Sequence, residues 1–292
     1  MDIADLELKS IQYRKRILEM IHRAGAGHTA GSLSCVDILN VLYNQVMNIA
    51  PENFSSLNRD HYIHSKGHSV EALYAVLADK GFFRAEELET LGTFDSHFVG
   101  HPTRKVPGIE HNTGALGHGL SVAVGLALAA KMDGRPSRVF TILGDGELSE
   151  GSVWEASMSA AHYKLDNLVV LVDRNRLQIT GRTESVMGLE PLAERFLSFG
   201  YAVRTVDGND IESLVTMLAR LPFETGRPNL LLARTIKGKG ISFIEDSPEW
   251  HHHVPTAAEL AAALEELNRA EEGWHLRHDL VESRQVQPAD LR

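Results

Sequence analysis

The sequence contains a single cysteine, no long apolar run and no excess of positive charge. One cysteine, Cys35, excludes an intramolecular disulfide and any cysteine-rich metal site. No segment approaches the roughly 20 apolar residues that a membrane helix needs, and the first residues lack the pattern of a signal peptide. A net charge of −10 disfavours binding to nucleic acid or to anionic membranes. These features predict a cytoplasmic protein with no nucleic-acid and no membrane partner.

The composition is that of a globular protein that is unusually rich in histidine. Hydrophobic residues make up 43% of the 292 residues, enough for one large domain or two small ones. There are 15 histidines, and several follow a glycine, as in Gly27-His28, Gly67-His68, Gly100-His101 and Gly117-His118. We interpret these pairs as backbone turns that direct imidazoles towards a ligand. Cys35 lies in an apolar helical stretch and is interpreted as a buried structural thiol.

Hydrophobic spacing predicts an α/β fold. Helical patterns cover residues 5–23, 35–48, 69–80 and 119–131, and the last is apolar almost all round, which predicts a buried helix. Four β-branched runs follow at 138–143, 168–173, 202–207 and 229–235, separated by helical stretches at 152–163, 189–199 and 210–221. This alternation predicts one α/β domain with a parallel sheet and helices on both faces.

The C-terminal region contains one more predicted helix. Thr256 and Glu259 have capping-box spacing at its start, and Gly273 is expected to end it. We therefore predict a domain over residues 1–273 and a mobile tail or linker over residues 274–292.

A candidate metal site follows two neighbouring strands. Asp145 stands between two glycines at the end of one predicted strand, and Asn175 stands at the end of the next. Ligands bind at the carboxyl ends of parallel strands, and the glycines let the backbone approach a bulky anion. With the carbonyl of Leu177, these oxygens could complete the shell of a Mg²⁺ ion that also binds a diphosphate. Taken alone, the aspartate could instead belong to an ordinary Asp-Gly turn.

These residues resemble the motif of thiamine diphosphate enzymes, a GDG followed at a distance by asparagine. The longer string Gly144–Ala156 (GDGELSEGSVWEA) resembles the transketolase family. Further segments are similar to that family and occur in the same order; they are Gly27-His28, Ser65–His68, Gly100–Pro102, Gly114–Gly119, Ile179–Thr183, Lys237–Gly240 and Pro248–His251. The resemblance covers about residues 10 to 256.

The resemblance implies a thiamine diphosphate-binding fold of the diphosphate-binding (PP) type, with a role for each matching residue. Asp145, Asn175 and the Leu177 carbonyl would bind Mg²⁺, or Ca²⁺ or Mn²⁺ in its place. Cofactor-binding residues would be Gly146, His68, His251 and Asn175 near the diphosphate, Gly114 and Leu116 at the aminopyrimidine ring, and Glu150 and Glu155 near the interface that joins two active sites. His28, His101 and His251 would be catalytic residues that face the sugar.

The resemblance also implies a partner. Full-length transketolases are about twice as long and add a pyrimidine-binding domain and a C-terminal domain. The chain therefore resembles the N-terminal subunit of a split transketolase, which would act on sugar phosphates only with a C-terminal subunit, in a heterotetramer with two copies of each chain. Departures at Thr29–Gly31, Thr103 and His118 leave the sugars open; the pentose phosphate pathway is the default assignment.

Other interpretations remain open. Within thiamine diphosphate enzymes, the alternatives are a chain like deoxyxylulose-phosphate synthase and one like the E1 α subunit of a keto-acid dehydrogenase. A non-catalytic regulatory module is the alternative outside enzymes. The loose glycine pattern at residues 25–31 follows a helix and not a strand, so it does not support a dinucleotide fold. The triplet His251–His253 is not favoured as a metal site, because no second cluster of ligands is visible nearby in the sequence.

Overall fold

The computed structural model describes residues 1–285, which contain a parallel sheet flanked by helices. The strands are β1 (His61–His64), β2 (Val139–Gly144), β3 (Leu168–Arg174), β4 (Leu177–Gln178), β5 (Gly181–Arg182), β6 (Ala202–Asp207) and β7 (Asn229–Arg234). The α-helices are α1 (Ile3–Ala24), α2 (Thr29–Val41), α3 (Val70–Asp79), α4 (His118–Met132), α5 (Gly151–His162), α6 (Thr183–Val186), α7 (Leu192–Ser198), α8 (Ile211–Leu218) and α9 (Ala257–Gln285).

Five strands form one parallel sheet in the order β1-β2-β3-β7-β6, and β4 and β5 form a separate antiparallel hairpin. Successive side chains of a strand point to opposite faces of the sheet. Alternate residues of each central strand therefore pack into two hydrophobic cores, one on each face. Phe140 and Ile142 of β2 pack with residues of α1, α2, α3 and α8, whereas Val139 and Leu143 pack with residues of α4, α5 and α7. The predicted sheet with helices on both faces is confirmed.

The four predicted strands are present, and β1 is a strand that the pattern did not predict. Its sequence, His-Tyr-Ile-His, has no apolar run, yet it is buried and pairs in parallel with β2. In this pairing His61 aligns with Val139 and His64 with Ile142. It places Ser65–His68 beside the end of β2.

Helix α4 differs from the prediction of a buried helix. One face packs in the core through residues such as Leu120, Ala123 and Ala127. The opposite face is open, with Ser121 and Gly125 exposed and Met132 78% exposed. Among the described residues no element covers this face. The core of the described residues therefore accounts for only one of the apolar faces of α4.

Helix α9 also differs from the prediction, because it continues past Gly273 to Gln285, the last described residue. The Trp274 indole donates a hydrogen bond to the Ala4 carbonyl at 3.0 Å, and Glu271 pairs with Lys15 on α1. These contacts with α1 oppose the cost of about 1 kcal/mol that an interior glycine brings to a helix. The boundary predicted at residue 273 therefore falls within a helix, and the remainder of the predicted tail, residues 286–292, lies outside the described residues.

Within residues 1–285, no helix has both the length and the apolar character required to cross a membrane.

Candidate functional site

A cavity of about 440 Å³ lies at the carboxyl ends of β2 and β3. Open α/β sheets bind their ligands at this edge. Its lining includes every site residue expected from the sequence except Glu150 and Glu155, namely His28, His68, His101, Gly114, Leu116, Asp145, Gly146, Asn175, Leu177 and His251. The fold therefore assembles residues that lie more than 220 positions apart in the chain.

The three expected metal ligands share this cavity. Asp145 follows β2 and is buried, with one carboxylate oxygen accepting the Gly146 N–H at 2.8 Å. Asn175 follows β3, and its amide oxygen accepts the Leu177 N–H at 3.1 Å. Together with the Leu177 carbonyl they offer one carboxylate, one amide and one carbonyl oxygen, the donor types that Mg²⁺ and Ca²⁺ prefer.

The electrostatics around Asp145 suit a bound cation. Burial raises the pKa of this carboxyl, and the nearby Asp173 carboxylate raises it further, while Arg174 opposes the rise. Arg174 donates a hydrogen bond to Asp145 at 3.0 Å but also pairs with Glu184 and Glu190. A divalent cation would offset the repulsion between the buried carboxylates, so these residues fit a metal ion.

Two buried lysines, Lys66 and Lys237, enter the same cavity, and the sequence analysis assigned no role to either. The Lys66 ammonium pairs with Asp173 and donates to the Gly31 carbonyl at 3.1 Å. The Lys237 ammonium lies 3.1 Å from the Leu177 carbonyl oxygen, and burial and Lys66 lower its pKa to about 8. Two ammonium groups beside oxygen donors suit a ligand with several negative charges. The segments that contain these lysines, Ser65–His68 and Lys237–Gly240, were among those similar to the transketolase family. The sequence did not indicate that the lysines are buried, because no local pattern distinguishes a buried lysine from an exposed one.

Four histidines surround the cavity. The ring centroids of His28 lie 5.2 Å from His68, 6.2 Å from His101 and 5.4 Å from His251. Burial, as the largest cause, lowers the pKa of His28 to about 3 and that of His251 to about 2, and it lowers the pKa of His68 and His101 as well. At neutral pH these imidazoles are uncharged and can each donate and accept one hydrogen bond.

A buried acid that the sequence analysis missed binds the backbone of His28. Glu71 of α3 accepts the His28 backbone N–H at 3.4 Å and the Ser32 hydroxyl at 2.8 Å. Burial raises the pKa of Glu71 to about 7. The signal in the sequence was an acidic residue within the otherwise apolar stretch 69–80.

The segment that contains Gly114 and Leu116 is held in place by another buried acid. Glu147 accepts the Gly117 N–H at 2.8 Å and the Gly144 N–H at 3.1 Å, so it ties this segment to the end of β2. Gly114 has a φ of 152° and lies against His101, where a Cβ would approach the ring to 3.1 Å. A side chain here would displace the imidazole.

Glu150 and Glu155 do not line the cavity of this chain. Both are exposed at the start of α5, beside the open face of α4. Cys35 is buried, as expected, and burial raises the pKa of its thiol to about 11, so it is not a nucleophile.

Comparisons with known proteins identify one family. The family model described as "Transketolase, thiamine diphosphate binding domain" matches residues 8–290. The chain is 47% identical over 268 residues to an apulose-4-phosphate transketolase subunit of Phocaeicola vulgatus, covering 92% of this chain and 95% of that one. It is 41% identical over 266 residues to the 6-deoxy-6-sulfo-D-fructose transketolase subunit SqwG of Clostridium sp. (strain MSTE9), covering 91% and 97%.

Among solved structures, the transketolase of Campylobacter jejuni matches with a TM-score of 0.81 and 28% identity. The match covers 99% of this chain and 51% of that one, so the chain spans about half the length of that transketolase.

Proposed function

The chain belongs to the family of transketolase thiamine diphosphate binding domains, and we propose that it works with a separate C-terminal subunit to transfer a two-carbon ketol unit from a ketose phosphate to an aldose phosphate. The observation that carries the proposal is the content of one cavity. Three oxygen donors for a metal, two buried ammonium groups and four neutral histidines line the same 440 Å³. This combination suits a metal-bound diphosphate on one side and a polar substrate on the other.

The residues divide into two groups by chemistry. Asp145, Asn175 and the Leu177 carbonyl would hold Mg²⁺, for which Ca²⁺ or Mn²⁺ could substitute. Lys66 and Lys237 add positive charge beside these donors and would balance the charge of the diphosphate. Thiamine diphosphate, when bound, supplies the carbon nucleophile that carries the two-carbon unit.

The histidines would orient the sugar. His28 and His101 are neutral at pH 7 because their pKa values are lowered, so their N–H groups can donate hydrogen bonds to sugar oxygens without adding charge. Fixed donors that face an oxygen gaining negative charge stabilise the transition state. His251 is held by Lys237, whose ammonium lies 2.7 Å from Nδ1. This contact makes Nδ1 the acceptor and leaves the Nε2–H available as a donor.

The partner would cover the open face of α4 and α5. Met132 and Met158 on this face are 78% and 61% exposed, and Gly125 has open space above its Cα. Glu150 and Glu155 are exposed beside it. An apolar face with small residues is suited to close packing against another subunit. We propose a heterotetramer that contains two copies of each chain and joins its active sites near these acids.

The substrates would be sugar phosphates. The two relatives compared above carry the names of apulose 4-phosphate and 6-deoxy-6-sulfo-D-fructose, so a specialised sugar is the chief alternative to the ketoses of the pentose phosphate pathway.

Reconstitution tests the proposal. The purified chain should be inactive alone, and addition of a separately produced C-terminal transketolase subunit from the same organism should restore ketol transfer. A panel of ketose phosphates that includes xylulose 5-phosphate and apulose 4-phosphate would identify the donor, and light scattering would give the mass of the assembly. Ketol transfer by this chain alone would contradict the proposal, because it would show that no second subunit is needed.

The other interpretations are less well supported. The family match and both relatives are transketolases, which disfavours a chain like deoxyxylulose-phosphate synthase or the E1 α subunit. A non-catalytic module is disfavoured because the proposed metal donors and the four histidines line the same cavity.

A further inference from the structure

We propose that Ser34 and Asp173 are positioning residues that make Asn175 present its amide oxygen, and not its amide nitrogen, to the metal ion. This inference rests on the proposed function, in which Asn175 is one of three oxygen donors for Mg²⁺. The side chain of asparagine ends in an oxygen and a nitrogen of similar size, and the oxygen is the atom that binds a hard cation. A metal site that uses asparagine must therefore fix which of the two atoms faces the ion.

The neighbours of the Asn175 side chain permit one orientation of its amide. Asn175 Nδ2 lies 3.3 Å from Asp173 Oδ2 and 3.4 Å from the Ser34 hydroxyl oxygen. An ionised carboxylate can only accept hydrogen bonds, so the amide group that faces Asp173 must be the NH₂ donor. Asn175 Oδ1 lies 3.1 Å from the Leu177 backbone nitrogen, which can only donate. The oxygen is thus held on the side of the Leu177 carbonyl and keeps a second lone pair for a metal ion.

Asp173 is kept in its ionised form by the groups around it. The residue is fully buried, and its carboxylate pairs with the buried Lys66 ammonium. The Thr235 hydroxyl donates to one carboxylate oxygen, and the Ser34 hydroxyl donates to the other at 2.6 Å. An ammonium and two hydroxyl donors favour the charged form of a carboxyl group. Turning the Asn175 amide round would place its oxygen against this carboxylate and its NH₂ against the Leu177 N–H, so repulsive contacts would replace hydrogen bonds.

Ser34 connects helix α2 to this arrangement. It is fully buried, six residues after His28, and its hydroxyl joins α2 to the end of β3 through Asp173. A hydroxyl can donate and accept at the same time, so Ser34 donates to Asp173 while it accepts from Asn175. The sequence analysis assigned no role to Ser34 or Asp173, because their contact joins segments that are 139 residues apart.

Binding of Mn²⁺ tests the role of Ser34 without any activity. The purified chain is titrated with Mn²⁺ in the presence of inorganic pyrophosphate as the probe for a diphosphate, and the relaxation rate of water protons measures the protein-bound ion. Loss of a residue that supports a metal ligand lowers metal affinity about 10- to 100-fold. We therefore expect Ser34→Ala to weaken Mn²⁺ binding at least about tenfold.

The matched control is Ser157→Ala. Ser157 is also a fully buried serine in a helix, but its hydroxyl donates to the Val153 carbonyl at 2.8 Å within α5. Each variant loses one buried hydroxyl, so both should keep the circular dichroism spectrum of the unaltered chain and show a similar small fall in melting temperature. Ser157→Ala should bind Mn²⁺ as tightly as the unaltered chain.

A double-mutant cycle shows whether Ser34 acts through Asn175. Asn175→Ala removes the oxygen that Ser34 is proposed to position. In that background, Ser34→Ala should change the Mn²⁺ affinity by less than about twofold, since residues that act through one another are not additive. The same tenfold loss in both backgrounds would overturn the proposal, because it would show that Ser34 affects the metal by another route.

The remaining outcomes separate this proposal from the proposed function. Equal Mn²⁺ affinity in the unaltered chain and Ser34→Ala would overturn the positioning role and leave the oxygen donors standing. If the unaltered chain bound no Mn²⁺, the metal site itself would be refuted, and the positioning role with it. In the reconstituted enzyme, Ser34→Ala should need more Mg²⁺ for ketol transfer, and saturating Mg²⁺ should restore kcat; a kcat that stays low would contradict a role limited to the metal ligand.

Discussion

Replacing Glu71 with glutamine should make the protein more stable at high pH but not at low pH. Glu71 is fully buried, and burial raises its pKa from 4.5 to about 7. Since one pKa unit corresponds to about 1.4 kcal/mol, ionising this carboxyl in the folded state costs about 3 kcal/mol more than in the unfolded state. Because the pKa is raised, the wild-type glutamate leaves the free energy of unfolding undiminished below pH 4.5. As the pH rises through about 7, that free energy falls by about 3 kcal/mol, since the folded protein must then hold a buried carboxylate.

Glutamine mimics the protonated acid and keeps an oxygen acceptor for the Ser32 hydroxyl or the His28 N–H. We therefore expect Glu71→Gln to exceed the unaltered chain in free energy of unfolding by about 3 kcal/mol at pH 8 and by less than about 1 kcal/mol at pH 5. Urea unfolding followed by circular dichroism at both pH values measures this difference.

The matched control is Glu86→Gln, at an exposed glutamate, which should change stability by no more than about 0.5 kcal/mol at either pH. A difference for Glu71→Gln that is the same at pH 5 and pH 8 would refute the reasoning, because it would show that Glu71 does not titrate in this range in the folded protein.

Two further predictions concern the proposed cofactor and sugar groups. Asp145→Asn should weaken Mg²⁺-dependent binding of thiamine diphosphate at least about tenfold, since it removes the only carboxylate among the three proposed oxygen donors while keeping an acceptor for Arg174; calorimetry with the reconstituted enzyme measures this, and unchanged affinity would contradict the assignment. His101→Ala should lower kcat of that enzyme about ten- to a thousandfold with a smaller effect on cofactor affinity, and a loss mainly of cofactor affinity would show that His101 does not face the sugar.

The metal donors could be predicted from the sequence because they depend on strand ends alone. Asp145 and Asn175 follow two successive strands, and parallel neighbours necessarily end at the same edge of the sheet. These two strands are short runs rich in β-branched residues, so the local sequence was enough to predict them. The same local reasoning missed β1, where two histidines interrupt the apolar pattern and pairing with β2 decides the structure.

The sequence of a helix did not predict whether the helix is buried on one face or on all sides. Helix α4 is apolar almost all round, yet only one of its faces packs against other parts of residues 1–285. Hydrophobicity indicates that a surface is to be covered but not by which chain. In α9, Glu271 and Trp274 contact α1 on either side of Gly273, where the sequence predicted the helix to end. The local sequence does not show these contacts, because α1 lies more than 250 residues away in the chain.

Short-range patterns in the chain were enough to establish the fold class, the family resemblance and the oxygen donors, because periodicity and motif spacing act over short stretches. The electrostatics of the site came instead from the folded arrangement. Folding buried Lys66, Lys237 and Glu71 around the cavity, and it brought His28 against His251 and His252. A pKa shift or a ligand cluster arises from desolvation and from neighbours in space, and both are set by the packing of elements that are distant in the chain.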